Sequence, residues 1–166
     1  MERILIIGCS GSGKSTLARA LKEKQGLPLV HLDQLGWQSG WEMTPKENFD
    51  RQLQMALDMD RWIIDGNYNR TIPMRLPKCD TIIYLDFNRW ECLWGVCQRV
   101  LKNYGKVRPD MADGCPERFD WDFIKFVWNF NQNNRVRNYT YLAQAKHAKH
   151  IVLKSRKEVR RFLAEL

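Results

Sequence analysis

The segment GCSGSGKST, Gly8 to Thr16, limits what this chain can fold into more than any other. Gly8, Gly13, Lys14 and Ser15 satisfy the pattern GxxxxGK[ST]. A short apolar run, Arg3 to Ile7, precedes it, and from Lys14 to about Lys24 the residues Leu17, Ala20 and Leu21 fall on one helical face. A strand therefore enters the turn and a helix leaves it. Glycines are needed there because the backbone must curl until successive amide hydrogens point inward at phosphate oxygens, and a Cβ would obstruct that approach. Lys14 adds a point charge at the β- and γ-phosphates, Ser15 offers a hydroxyl to magnesium, and the helix N-terminus contributes partial positive charge. The expected ligands are ATP and magnesium, with Gly8, Gly11, Ser12, Gly13, Lys14, Ser15 and Thr16 around the phosphates.

The rest of the chain continues the alternation of short strands and helices. Leu29 to His31, Trp62 to Ile64, Thr81 to Leu85 and Ile151 to Leu153 read as further strands. Thr44, Pro45 and Glu47 have the spacing of a capping box opening a helix after the loop Gly36 to Trp41. Long helices are expected over about Arg89 to Lys102 and Trp121 to Ala145, and a last one capped by Ser155 with Glu158 three residues on. Parallel strands need crossover connections, which are usually helical. The pattern thus predicts an α/β fold of three layers, α/β/α, around a five-stranded parallel sheet: one P-loop domain over 1–166, with an acceptor-binding insert at about 34–60. The segment 103–120, rich in Gly, Pro and charge, is too long for a simple connector and reads as a short mobile lid.

No apolar run approaches the roughly 20 residues of a membrane span, and Ile4 to Ile7 is too short for a secretory signal, so a soluble cytoplasmic protein is expected. Cys9, Cys79, Cys92, Cys97 and Cys115 show no zinc or disulfide spacing and read as reduced thiols, Cys9 as a small side chain in a tight loop. The formal charge of +8 is confined to residues 99–166, which hold 15 Lys and Arg against 7 Asp and Glu, while residues 1–98 hold 12 of each. Such a patch can attract nucleotide phosphates or a nucleic-acid backbone.

Ligands of open α/β sheets bind beyond the carboxyl ends of the strands, which is where Asp33, Asp65 and Asp86 fall. Of the two carboxylates that could serve a metal, Asp65 is favoured, because Gly66 lets the backbone approach a ligand, whereas Asp86 could cap the next helix. His31, in a strand, is expected to be a packed histidine. Trp90, Trp94, Trp121 and Trp128 recur at helical spacing, which predicts burial in a core. Trp37 and Trp41, in the loop after Asp33, are placed to stack on a flat acceptor such as a base.

The phosphate loop, an aspartate beyond the second strand, the DG pair after the third and the arginine-bearing lid resemble the adenylate-kinase and shikimate-kinase group of P-loop kinases. HLDQLGW at 31–37, WIIDGNY at 62–68 and RPDMADGCPERFDW at 108–121 resemble the bacterial DNA topology modulation proteins, or FlaR-like proteins, themselves placed in that group. The resemblance implies that Asp33 holds the phosphoryl acceptor, Asp65 stands with magnesium, and Arg99 packs on adenine. It further implies that Arg108, before Pro109, closes over the transferred group, and that Arg135 and Arg137 clamp phosphates from the far side. Where adenylate kinases follow DG with phenylalanine, proline and arginine, this chain has Asn67, Tyr68, Asn69 and Arg70, a departure from monophosphate recognition that leaves Arg70 as a candidate substrate contact. A kinase acting on a small acceptor is the first functional expectation. A nucleotide-switched DNA-binding protein is the alternative, carried by charge and the family label without a nucleic-acid motif, and a hydrolase without an acceptor is the third.

Overall fold

The computed structural model describes residues 1–166. In chain order the elements are β1 (Arg3–Gly8), α1 (Lys14–Gln25), β2 (Leu29–His31), α2 (Leu32–Gly36), β3 (Trp37–Gln38), β4 (Glu42–Met43), α3 (Lys46–Leu57) and β5 (Trp62–Asp65). They continue with α4 (Ile72–Arg75), flanked by two 3-10 turns, then β6 (Thr81–Leu85), α5 (Arg89–Asn103), α6 (Trp121–Gln144), β7 (Lys149–Leu153) and α7 (Arg156–Ala164).

The five expected strands form one parallel sheet in the order β2-β5-β1-β6-β7. The central strand β1 is apolar on both sides because both faces of the sheet are covered. Ile4 and Ile6 point into a core with Leu17 and Leu21 of α1, Cys92 and Val96 of α5, and Val127 and Phe130 of α6. Leu5 and Ile7 point the other way, among Leu32 of α2, Phe49 and Leu53 of α3, and Ile72 of α4. Since β1 is central, the phosphate loop emerges at mid-sheet, with the ends of β5 and β6 beside it. No helix is long and apolar enough to cross a membrane.

Several local expectations differ from what is observed. The helix after residue 43 begins at Lys46, with Pro45 preceding it and no side-chain cap. Thr44 does not cap it because its amide donates to the Gly36 carbonyl at 3.0 Å, which ties it to the preceding strand pair. The segment 36–41 is not wholly a loop: β3 and β4 pair antiparallel around a turn in which Gly40 and Trp41 both have positive φ. Ser155 does cap α7, accepting from the Glu158 amide at 3.2 Å.

The tryptophans at helical spacing are not core residues. Trp90, Trp94 and Trp121 are 67%, 62% and 67% exposed, and Trp128 lies at the surface with Trp90 packed edge-on at 5.0 Å. For Trp90 and Trp94 the cause is the close approach of α5 to the phosphate loop. A Cβ on Gly95 would collide with the Gly11 carbonyl, and one on Gly11 would collide with the Cys92 carbonyl. The inward face of α5 therefore carries small residues, Cys92, Gly95 and Val96. At about 100° per residue, positions 90 and 94 fall on the opposite side.

Candidate functional site

The ends of β1, β2 and β5, the face of α5 and the segment 108–123 enclose an open cavity of about 790 Å³. The loop between β1 and α1 forms its floor. Gly13, with φ of +96°, has nothing within 4 Å of where a Cβ would stand, so the loop is open at that position, where it lines the cavity. Lys14 Nζ donates to the Cys9 carbonyl at 3.0 Å, and Ser12 Oγ donates to the same oxygen at 2.7 Å. Gly11, Gly13, Lys14, Ser15 and Thr16 line the cavity; Ser12 is buried beneath it and Gly8 lies at the strand end.

The loop is fastened to β5 by a side chain that no motif pointed to. Asn67 Oδ1 accepts from the Gly8 amide at 3.0 Å while Asn67 Nδ2 donates to the Gly8 carbonyl at 2.8 Å. Behind it Arg75, fully buried on α4, donates to the carbonyls of Gly66, at 2.9 Å, of Asn67, and of Tyr68, at 3.0 Å. Burial pushes the Arg75 guanidinium down to about 9. It has no carboxylate partner, and its role is to hold the turn after β5 in shape. A lone arginine beyond a DG pair gives no sequence signal of this, because its partners are backbone carbonyls.

Asp65, at the end of β5, is only 4% exposed. Its Oδ2 meets His31 Nδ1 at 2.9 Å, and its Oδ1 is buried with no hydrogen-bond partner while the residue lines the cavity. His31 is thus the packed histidine expected, acting on Asp65. Asp86 is different: its carboxylate is taken by Arg135 Nη2 at 2.9 Å, Tyr139 at 2.9 Å and Tyr84 at 3.1 Å, and it does not line the cavity. Of the two carboxylates, Asp65 alone has an oxygen left for a cation or its water. An unpartnered carboxylate oxygen beside Lys14 and Ser15 on a glycine loop is a donor set that fits a magnesium-bound nucleotide.

Asp33, in the first turn of α2, lines the opposite wall with Trp37, Trp41 and Tyr68. Burial and the Asp65 charge push its carboxyl above the usual carboxylate range, against the opposing pull of Lys14 and of Tyr68, whose hydroxyl donates to Oδ1 at 3.0 Å. Gly36 makes room for this arrangement, since a Cβ there would run into the Tyr68 ring.

The segment 104–120 closes the cavity from above. Arg108 bridges Asp110 at 2.7 Å and Glu117 at 2.7 Å, and Arg99 shares Glu117 at 3.0 Å while lying over the Phe123 ring at 5.2 Å. Burial lowers the Arg99 pKa, and the neighbouring Arg108 charge adds to the effect. For Asp110, burial pushes the carboxyl up, but the Arg108 guanidinium, with the polar Ser15 nearby, outweighs it and holds it below the ordinary range. The segment also reaches the β3–β4 pair, where Gly40 donates to the Gly114 carbonyl at 3.0 Å and Cys115 Sγ contacts the Gln38 carbonyl at 3.0 Å. The expected lid is therefore clasped at two edges. Asp110, buried beside Ser15, is the residue here that sequence spacing did not mark.

Among the residues singled out in the sequence, the structure brings Lys14, Ser15, Asp33, Asp65, Arg99 and Arg108 around one cavity. It does not bring Arg70, Arg135 or Arg137 there. Arg70 forms a two-pronged pair with Asp50 at 2.7 and 2.8 Å, and Arg135 is committed to Asp86. Arg137 is exposed on α6.

A central strand running into a glycine-rich loop and helix, within a parallel sheet of this order, defines a P-loop nucleotide-binding fold of the adenylate-kinase-like kind. The crystal structure of shikimate kinase from Bacteroides thetaiotaomicron shares it, with a TM-score of 0.56 over 99% of this chain and 95% of that one. Identity between the two is 14%, so the likeness is one of fold. No protein-family model matches the sequence, and no curated protein matches it.

Proposed function

We propose that the chain is an ATP- and magnesium-dependent kinase that moves the γ-phosphoryl group to a hydroxyl of a small acceptor. One observation carries this reading: the phosphate loop and Asp33, with its partly satisfied carboxylate, face the same cavity under an arginine-bearing lid. A hydrolase requires no second wall of this kind. The domain reading goes with it, one P-loop domain whose insert at about 34–60 holds the acceptor and whose lid spans about 103–120. The likeness to the bacterial DNA topology modulation proteins belongs to the same reading, since those proteins are grouped with the adenylate-kinase-like fold. Free thiols at all five cysteines favour a cytoplasmic setting.

In this reading Lys14, Ser15 and the amides of Gly11 and Gly13 hold the nucleotide phosphates, and Ser15 and Asp65 hold magnesium directly or through water. Bound magnesium neutralises charge on the phosphates, and ATP supplies the transferred group. His31 orients Asp65 through its 2.9 Å contact. Arg108 and Arg99 lie where charge builds on the phosphoryl group, and positioning and neutralisation of this kind, more than a strong base, lower such barriers. A lid already seated against β3–β4 keeps water from competing with the acceptor.

The test is coupled ADP release with magnesium-ATP across nucleosides, nucleoside monophosphates, sugar acids and duplex DNA. Acceptor-dependent release that disappears in Lys14→Ala is the expected result. Release stimulated by DNA alone, or unchanged activity in Lys14→Ala, overturns the reading.

A further inference from the structure

The cavity has two unlike halves. Along the phosphate loop and α5 it is cationic, with Lys14, Arg99 and Lys102, and Arg156 Nη2 lies 3.5 Å from the Gly11 carbonyl. The half beyond the loop is walled by Asp33, Asp65, Trp37, Trp41 and Tyr68, two carboxylates and three aromatic rings. The cations near it are drawn toward other groups: Arg118 lies over the Trp41 ring at 5.0 Å, Arg108 is held by Asp110 and Glu117 on the lid side, and Arg19 faces Asp110 at 3.7 Å. Arg70 and Arg135, the nearest arginines on the flanking α3–α4 and α6 sides, are bound to Asp50 and Asp86 outside the cavity. The two side chains that present acceptor oxygens to this half, Asp33 and Asp65, are both carboxylates, so an anion placed between them and the aromatic rings is repelled.

What the half does offer is a flat surface and a hydroxyl acceptor. Trp37 and Trp41 meet edge to face at 5.6 Å, and Trp41 stands in the left-handed region at φ +64°, a conformation uncommon for a bulky residue, in the turn beside the Gly40–Gly114 contact. Tyr68 fixes Asp33 by Oδ1, leaving Oδ2 without a hydrogen bond from the protein.

We propose that the acceptor is an uncharged molecule carrying a hydroxyl group and a flat ring, a nucleoside-like compound, and that nucleoside monophosphates and sugar acids are excluded. This rests on the kinase reading above and names the substrate class of the same site. The ring packs against Trp37, and the hydroxyl donates to Asp33 Oδ2. In the transfer step the acceptor oxygen bonds to the γ-phosphorus, the bond from that phosphorus to the β–γ bridging oxygen breaks, ADP leaves, and the hydroxyl proton passes to Asp33 and on to solvent.

Calorimetric titration of the full chain with the common ribonucleosides, their 5′-monophosphates and a sugar acid, without ATP, tests the class directly. Saturable binding of at least one nucleoside, with its monophosphate about tenfold weaker or more, is expected. Trp37→Ala weakens nucleoside binding about tenfold, the loss of one stacking contact, and Trp37→Phe, which keeps a ring, recovers most of it. A monophosphate or sugar acid that binds as well as the nucleosides, absence of binding by every nucleoside, or Trp37→Ala that folds and binds normally would each overturn it. Parallel ADP release separates the two readings. A nucleoside that binds but never stimulates ADP release defeats the kinase reading and leaves the acceptor class standing. Monophosphate-dependent release lost in Lys14→Ala does the reverse.

Discussion

Gly95→Ala sets a local rule against the tertiary arrangement. Gly95 lies in the interior of α5, where propensity alone favours alanine by about 1 kcal/mol. In the fold its Cβ would collide with the Gly11 carbonyl oxygen and lie 2.9 Å from both the Gly11 carbonyl carbon and Arg156 Nη2. The guanidinium can swing away. The peptide cannot, because Gly11 is wedged against Cys92 and Val96 and itself holds φ +80°. Overpacking against immobile atoms costs about 1–3 kcal/mol, and the upper end applies where backbone is struck. Subtracting the propensity gain leaves a net loss of about 2 kcal/mol, or about 4–8 °C in melting temperature for a chain of this length. The only relief is to move α5 and the phosphate loop apart, so magnesium-ATP binding should weaken at least about tenfold in the same variant. Thermal denaturation and calorimetric ATP titration read the two effects. A variant that melts at or above the wild type, with unaltered ATP affinity, would refute the proposed glycine-on-glycine contact.

Asn67→Ala removes both hydrogen bonds to the Gly8 peptide and should cost about 1–3 kcal/mol in urea denaturation, with ATP affinity falling while the far-ultraviolet spectrum stays unchanged. Arg75→Met fills similar space but leaves the Gly66 and Asn67 carbonyls without donors, while Tyr68 keeps those from Thr71, and a loss of about 2–3 kcal/mol is expected; a neutral result in the same denaturation would show that the turn holds itself. Asp33→Asn should abolish phosphoryl transfer yet stabilise the fold at neutral pH. The folded Asp33 carboxyl is raised by burial and by Asp65, so the native state binds more protons than the unfolded chain between the unfolded value, about 3.9, and the raised folded one. Wild-type stability therefore declines relative to Asp33→Asn as pH rises through that window and levels off above it, and urea midpoints at acid and neutral pH that run parallel in the two proteins would contradict this.

Much of the fold is legible because it is written in periodic patterns and local chemistry. All five strands are read near their observed places, since each is a short apolar run, and the phosphate loop is a contiguous motif whose glycine conformations follow from what it binds. The ends of elements are less legible. Thr44 has the spacing of a helix cap, but its amide is drawn to Gly36 by a hairpin that no hydrophobic pattern announces. Trp90 and Trp94 fail for a related reason: spacing fixes which residues share a face of α5, and only the approach of Gly95 to Gly11 decides which face points inward.

The arginines mark where sequence reasoning on the site stops. Arg70, Arg75, Arg108 and Arg135 are alike in a one-dimensional reading, each a cation near an element that could touch substrate. In the fold they have four fates, set by the nearest acceptor: an exposed carboxylate for Arg70, backbone carbonyls for Arg75, two lid carboxylates for Arg108 and a buried aspartate for Arg135. Those acceptors lie 2 to 49 residues away in the chain, so no local pattern holds the information. Asp65 was separable from Asp86 for the opposite reason, because Gly66 makes it the carboxylate a ligand can approach. The partners that remove Asp86 from contention, Arg135 and Tyr139, both come from α6. A residue's chemistry is set by what is left over after its contacts are made, and for this chain the remainder is an oxygen on each of Asp65 and Asp33, set across one cavity from Lys14 and beside an aromatic wall.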